Sequence, residues 1–353
     1  MPDRRSWQAF ENSLETTAVN HFERFKAVMN FQPVDRLPRI EWAAWWDKTI
    51  QRWQEEGLPV DAQDACSYFG LDPYWQHWFR PYDPAVVRPP HPVEGSVSSN
   101  DDYTALRPFL YHTSDAVFEK LRVWGQAQDC GEAVVWITLE GFFWWPRSLM
   151  GIERHLFAFY DQPDLLHRIN SDLADHHVRI LRRLSKVCHP AFMTFAEDMS
   201  YNHGPMLSKK LFDEFLAPYY CRVVPILKEM GVFIFVDSDG DVTEMVPWLL
   251  EVGVEGVLPL ERQAGVDANA LRKAHPHLRM IGHYDKMVMT RGEEAMRREF
   301  ERLLPVMRSG GFIPGVDHQT PPGVSLNEYR CYLRLLEEYS VLGAKGEEGV
   351  CGG

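Results

Sequence analysis

Apolar residues return at helical spacing early in the chain: Val19, Phe22, Phe25, Val28 and Met29 predict an amphipathic helix over residues 18–30. The run QPVDRLPRIEW then breaks that period with two prolines and predicts a short extended segment ending at Glu41. From 43 to 130 no period holds. Stretches such as DPYWQHWFRPYDP and VRPPHPVEGSVSSNDDY, rich in aromatic, proline and turn residues, predict an irregular excursion there. Beyond it the pattern becomes rhythmic. Short apolar runs fall at 133–139, 191–195, 233–236, 256–260, 279–281 and 311–314. Helical patterns at 164–186, 208–230, 243–252, 267–275, 292–308 and 325–340 separate or follow them. The second of these is bounded by Ser208 as an N-cap and Gly231 as a C-cap.

Short apolar strands alternating with helices predict a parallel sheet covered on both faces. With 39–41 counted, seven strands are visible, and the 43–130 excursion has room for an eighth. That favours an α/β fold of the (β/α)8 TIM-barrel type, one domain over 1–353 with an N-terminal helical extension at 1–35, over an open doubly wound sheet. No G-x-G-x-x-G follows the first strand and no G-x-x-x-x-G-K-[ST] occurs, which removes the usual support for nucleotide binding. A chain of 353 residues, 45% hydrophobic and 25% charged, has enough apolar material for such a core. A net charge of −13 argues against nucleic-acid or anionic-membrane partners. No apolar run reaches the ~18–20 residues that span a bilayer. The opening MPDRRSWQAFENSLETT lacks the apolar stretch of a secretory signal. The six cysteines, Cys66, Cys130, Cys188, Cys221, Cys331 and Cys351, show no C-x-x-C spacing. The expectation is a cytoplasmic protein with free thiols.

In a barrel, catalytic groups come from the carboxyl ends of the strands. Those ends carry Glu41, then Glu140 in ITLEGFFWW, then Glu197 and Asp198 in TFAEDMSYNHG. Asp237 and Asp239 follow in VDSDGDV, Glu261 in VLPLERQAG, His283 and Asp285 in MIGHYDK, and Asp317 and His318 in IPGVDHQTPPG. Glu197, Asp198, Asp239, His283 and His318 are the candidate catalytic groups; Asp237, Asp239, Glu261 and His318 are the candidate metal ligands. Two imidazoles among several carboxylates suit a divalent metal, zinc included, with one position left open. They suit equally a metal-free acid and base set, in which crowded carboxylates raise one another's pKa. No cysteine lies in these segments, so a metal here would be held by oxygen and nitrogen. Blander roles compete: His283 and His318 as satisfied structural histidines, Asp241 as a helix cap, Glu140 paired with Arg147, and Glu41 with a loop cation. His176, His177, His203, His275 and His277 are expected on solvated helices and loops. The aromatics Trp42, Trp45, Trp46, Phe142, Phe143, Trp144 and Trp145 follow two of the strand ends, as pocket wall, lid or core. Glu41, Trp45, Glu140, Phe143, Trp144 and Asp285 are accordingly the candidate substrate contacts.

The segment RFKAVMNFQPVDRLPRIEW resembles the opening of the uroporphyrinogen decarboxylase superfamily, with its helix, Asp-Arg-x-Pro turn and first barrel strand. VDSDGDV, GVEGVLPLE, IGHYDK and GGFIPGVDHQTPPGVSLNEY resemble its later strand ends in order, so the likeness runs over residues 20–340. The resemblance implies a (β/α)8 barrel and one of two activities: decarboxylation in the heme pathway, or cobalamin-dependent methyl transfer. Family decarboxylases carry an R-Q-A-G-R loop after the first strand that binds the porphyrinogen propionates. Here the equivalent stretch, EWAAWWDKT, has no arginine, and a polycarboxylate would meet Glu41 and Asp47 instead. In the methyltransferase branch zinc is held by a His-x-Cys motif and a later cysteine. The matching positions carry Asp237-Ser238-Asp239 and His318, so a divalent metal is retained as an expectation and a thiolate site is not. The chain has no D-x-H-x-x-G motif, so the resemblance implies cobalamin carried by a separate corrinoid protein, with a small methylated substrate and a homodimer left open. A corrinoid-type methyltransferase is the leading expectation. A lyase or hydrolase using the same rim as acid and base, with or without a metal, and a non-catalytic binding barrel are the alternatives.

Overall fold

Seven parallel strands follow one another in chain order around a curled sheet. They are β1 (Tyr74–Phe79), β2 (Val134–Glu140), β3 (Phe192–Ala196), β4 (Phe233–Asp237), β5 (Gly256–Leu258), β6 (Arg279–Tyr284) and β7 (Phe312–Val316). The computed structural model describes residues 19–43, 45–85, 87–89 and 91–345. The first part of the expected extension, 1–18, and Cys351 lie outside the described residues. β2, β3, β5 and β7 are buried along their whole length, as a parallel sheet covered on both faces requires. Around it run α1 (His21–Met29), α2 (Asp47–Glu55), α3 (Asn100–Leu106), α4 (Asp115–Asp129), α5 (Trp144–Met150), α6 (Ile152–Asp161) and α7 (Pro163–Leu184). They are followed by α8 (Lys209–Phe215), α9 (Ala217–Glu229), α10 (Val246–Glu251), α11 (Ala268–Ala274), α12 (Glu293–Arg308) and α13 (Leu326–Ala344). The expected 208–230 helix is two, because Leu216 interrupts it and Pro218 opens the second; Ser208 caps the first as expected, through Leu211 N–H at 3.3 Å. Among the described residues no helix is long and apolar enough to cross a membrane. The described cysteines are all unpaired.

Two expectations are corrected. Residues 39–41 form no strand, although the segment runs beside both edges of the sheet. Trp42 Nε1 donates to the Val316 carbonyl at 2.7 Å on the β7 side, and Asp72 N donates to the Arg39 carbonyl at 2.8 Å just before β1. Pro38 and Pro314 lie along this seam and supply no N–H, so no ladder forms and the barrel is left unclosed. The 43–130 region, in turn, is irregular only in part: the described residues of 80–99 form neither helix nor strand, but the rest is ordered. It holds α2, α3 and α4, and β1, which pairs in register with β2 from Tyr74–Val134 to Phe79–Leu139. Its sequence, YWQHWF, mixes aromatic and polar residues and hides the strand from an apolar-run criterion.

Inside the curl the side chains are layered. At the amino end Phe25 of α1 stacks on Phe192, with ring centroids 5.1 Å apart, and meets Tyr74 and Phe233 edge-on. Gly256 has no Cβ because one would stand 2.3 Å from the Phe235 ring. One layer up, the Thr138 and Thr194 hydroxyls meet at 2.8 Å and are joined by Trp136 Nε1 and Gln76 Nε2. One step further along the same face stand Glu140 and, through the register Glu140–Ala196–Asp237, the carboxylate of Asp237. Period-two alternation thus carries acids to the carboxyl mouth.

Candidate functional site

Asp239, Glu261 and His318 arrive at this mouth from the turns after β4, β5 and β7, and one donor atom from each lies within 4.8 Å of the others. The turn after β4 is built for this. Gly240 adopts φ +84°, and a Cβ there would lie 2.6 Å from the Tyr201 backbone, so only glycine fits. Its N–H donates to Glu261 Oε2 at 2.9 Å, which orients that carboxylate. Ser238, fully buried between the two aspartates, accepts from Met199 N–H and so pins the turn to the end of β3. His318 Nε2 stands 3.4 Å from Asp239 Oδ2, and its ring meets Trp42 edge-on at 6.1 Å. The hydrogen bond to Asp239 holds the imidazole above its ordinary pKa. Asp198 completes the group: its Oδ1 accepts from Asp239 N–H at 3.2 Å. Burial, reinforced by Asp239, pushes Asp198 up to about 6. Asp237 is raised well above the carboxylate range by burial, with Asp198 and Asp239 adding to it.

Other expected residues stand apart from this group. Glu197 is wholly buried on the outer side of the sheet, accepting the N–H groups of Phe142 (2.9 Å), Phe143 (2.7 Å) and Trp144 (3.3 Å) and the Tyr220 hydroxyl. It caps the start of α5 rather than facing the mouth, because Ala196 takes the inward position. His283 is likewise structural. Gly282 and His283 adopt φ +108° and +72°, which interrupts the alternation at the end of β6. The His283 ring lies 2.8 Å from the Leu260 carbonyl through Nδ1, while Nε2 accepts from Ala268 N–H and faces Arg302. Burial, then Arg302, lowers it to about 4, so it is neutral at physiological pH.

Glu41 accepts from Tyr329 at 2.8 Å, away from any loop cation, and burial pushes it up to about 8. Trp45 packs among Trp53, Phe69 and Tyr329, and Phe143 against His155 and Phe159; both are core. The Asp285 carboxylate caps Met287 N–H and binds Gln263, so it serves its own turn. Asp241 does the same for Thr243 N–H. Glu140 does not pair with Arg147. His176 and His177 are buried, not solvated, with His177 Nε2 2.9 Å from the Glu140 carbonyl. Among the expected substrate contacts, Glu140 and Trp144 do line a cleft of about 1010 Å³ above β1 and β2.

Two cations stand at the rim, Arg147 with partners other than the expected Glu140 and Lys286 with none expected. Arg147 lies 4.8 Å over the Trp144 ring and donates to the Asp198 carbonyl at 2.9 Å. Lys286, within the quoted IGHYDK motif, pairs with the fully buried Asp317 at 3.1 Å. Asp317 also accepts from Arg262 N–H, which makes it an anchor for two rim loops rather than a free acid.

A family model described as uroporphyrinogen decarboxylase (URO-D) matches residues 93–339. Among solved structures, a methyltransferase from Methanosarcina mazei superposes with a TM-score of 0.59 at 14% identity, covering 91% of this chain and 99% of its own. A putative vitamin-B12 independent methionine synthase from Listeria monocytogenes superposes with a TM-score of 0.46 at 11% identity, covering 88% and 97%. At these identities the first likeness speaks for the fold alone, and the second is too loose to carry an argument. No curated protein sequence matches the chain.

Proposed function

The chain belongs to the uroporphyrinogen decarboxylase (URO-D) family, and within it we propose a methyltransferase that moves a methyl group from a small methylated substrate to a corrinoid carried by a separate protein. The observation that carries this reading is the convergence of Asp239, Glu261 and His318 at the barrel mouth. Two carboxylates and one imidazole, half-buried and reachable from solvent, fit a divalent cation such as zinc, and leave it an open position. Such an ion would supply Lewis acidity to the heteroatom that gives up its methyl group. The chain's own residues prepare the rest. Gly240 N–H and Trp42 hold Glu261 and His318 in place. Asp198, raised to about 6, retains a proton on a fraction of molecules at neutral pH, 3.2 Å from the Asp239 backbone, for donation to the departing heteroatom. The lack of arginine across residues 41–49 argues against a porphyrinogen polycarboxylate as substrate.

A second reading, a carboxy-lyase without metal, draws on the same crowding of Asp198, Asp237 and Asp239, which keeps protons on buried acids. The two separate by experiment. Purified protein mixed with Co(I) cobalamin and a panel of methyl donors should give the absorbance of methylated cobalamin with at least one donor. A folded protein that gives none, yet releases carbon dioxide from a small acid after chelation of metals, would favour the lyase.

A further inference from the structure

Asp239, Glu261 and His318 come from the turns after β4, β5 and β7, whereas β6, which lies between β5 and β7 in the sheet, supplies no member of the group. Its turn supplies Lys286 instead. The Lys286 ammonium reaches Asp317 Oδ1 at 3.1 Å on the β7 side and Gln263 Oε1 at 3.0 Å on the β5 side. Each contact falls beside a member of the group: Asp317 precedes His318, and Gln263 stands two residues after Glu261. The Asp317 carboxylate also joins those two turns directly, since its Oδ2 accepts from Arg262 N–H at 3.0 Å. Lys286 N–H adds a bond to Oδ1 at 3.3 Å, and Asp285 accepts from Gln263 Nε2 at 2.6 Å. On the far side Gly240 N–H ties the β4 turn to Glu261. The network therefore runs unbroken from the β4 turn to the β7 turn.

The Lys286 side chain is 13% exposed and that of Asp317 0%. Taking both charges out of water costs much of what their attraction returns, so stability alone is a weak reason for such a pair. Fixing the register of chain segments is a better attested one. The group at the mouth needs that service. The side chains of His318 and Asp239 are 26% and 40% exposed, so surrounding packing fixes them only in part, and their donor atoms sit where their backbones are held. We infer that Lys286 is a positioning residue for the metal group. Through Asp317 and Gln263 it holds the turns that carry His318 and Glu261 at the separation a single divalent ion requires. The inference rests on the metal-binding part of the proposed function and deepens it, by naming a residue outside the donor set on which the affinity for the ion depends.

The test is metal binding, without corrinoid or substrate. Cobalt(II) is the probe, because its visible absorption reports coordination geometry as well as occupancy. Full-length protein, treated with chelator and dialysed, is titrated with cobalt(II). Lys286→Met leaves a buried carboxylate without its cation, so the double variant Lys286→Met/Asp317→Asn, in which no charge is stranded, is measured beside it. Phe25→Ala, at the opposite end of the barrel, is the control for lost stability. The wild type should bind about one cobalt(II) per chain. Both Lys286 variants should bind it at least about tenfold more weakly, the usual scale for losing a partner behind the ligands, and with a changed absorption spectrum. Phe25→Ala should lower the melting temperature and keep both affinity and spectrum. Wild-type affinity and spectrum in either folded Lys286 variant, or an equal loss of affinity in Phe25→Ala, would overturn the inference. A wild type that binds no cobalt(II) would bring down the metal reading itself and the inference with it, so the wild type alone tells the two failures apart.

Discussion

Ala196 and Asp237 are register partners, so Glu197, one residue on, faces away from the mouth toward which Asp237 points. That single step of parity separates a structural acid from a site acid, although both are strand-end carboxylates in sequence. Glu197 holds three backbone N–H groups and a tyrosine hydroxyl in a dry setting. Glu197→Ala strands those donors, and the expected loss is about 3 kcal/mol of stability, read by urea denaturation. A loss below about 1 kcal/mol would show that the cap is dispensable. His283 teaches the same lesson by another route. Two consecutive left-handed residues turn it off the expected face, and nothing in IGHYDK beyond its glycine signals that. By contrast, Asp198, Asp237, Asp239, Glu261 and His318 were legible as a group, because apolar runs ending in acids and histidines mark the barrel rim whatever each side chain does.

At the scale of elements, the amino end of the barrel is closed by a helix rather than by the sheet. Phe25 of α1 enters the curl among Tyr74, Phe192 and Phe233. Phe25→Ala is expected to cost about 3–5 kcal/mol by urea denaturation, since the rings around it cannot collapse into the space. A cost near that of a surface change would mean that the plug is loose. The helix itself was readable from its period, as were six strands, because buried parallel strands are continuous apolar runs. β1 was not, because an edge strand with glutamine and histidine between aromatics lacks that run. The extended run at 39–41 was read as a strand for the opposite reason: its composition suits one, but the prolines on either side of the seam deny it a ladder. Losing β1 also hid the cleft, for Trp78, Arg80 and Arg88 of its lining all lie in the 43–130 region where no period could be read.

For the whole molecule, buried ionisable groups set the pH dependence of stability. Burial raises Glu41 to about 8 and Glu140 and Glu197 to about 7, so the folded chain keeps protons that the unfolded chain has already released above its own value of roughly 4.3. Their contribution therefore falls as pH rises toward 8. Burial lowers His77, His177 and His283 to about 4 and His155 to about 3. These groups take up protons only on unfolding, so stability also falls as pH drops below about 6.5. Between roughly pH 4.5 and 6.5 the two sets oppose each other; above it the raised acids, joined by the raised His318, all act in the falling direction. Stability in the presence of chelator should decline from pH 6.5 to 8 by about 1 kcal/mol per unit for each acid still titrating, and Glu41→Gln should flatten the upper part of that decline. A flat or rising profile over that range would contradict these assignments. The account as a whole depends on one property of the mouth, that Asp239, Glu261 and His318 act together on a single ion. Metal content after incubation with zinc and exhaustive dialysis tests it most directly. About one ion per chain is predicted for the wild type, with loss of that ion in a folded His318→Ala variant. A wild type that retains no zinc, or a variant that retains as much as the wild type, would contradict it.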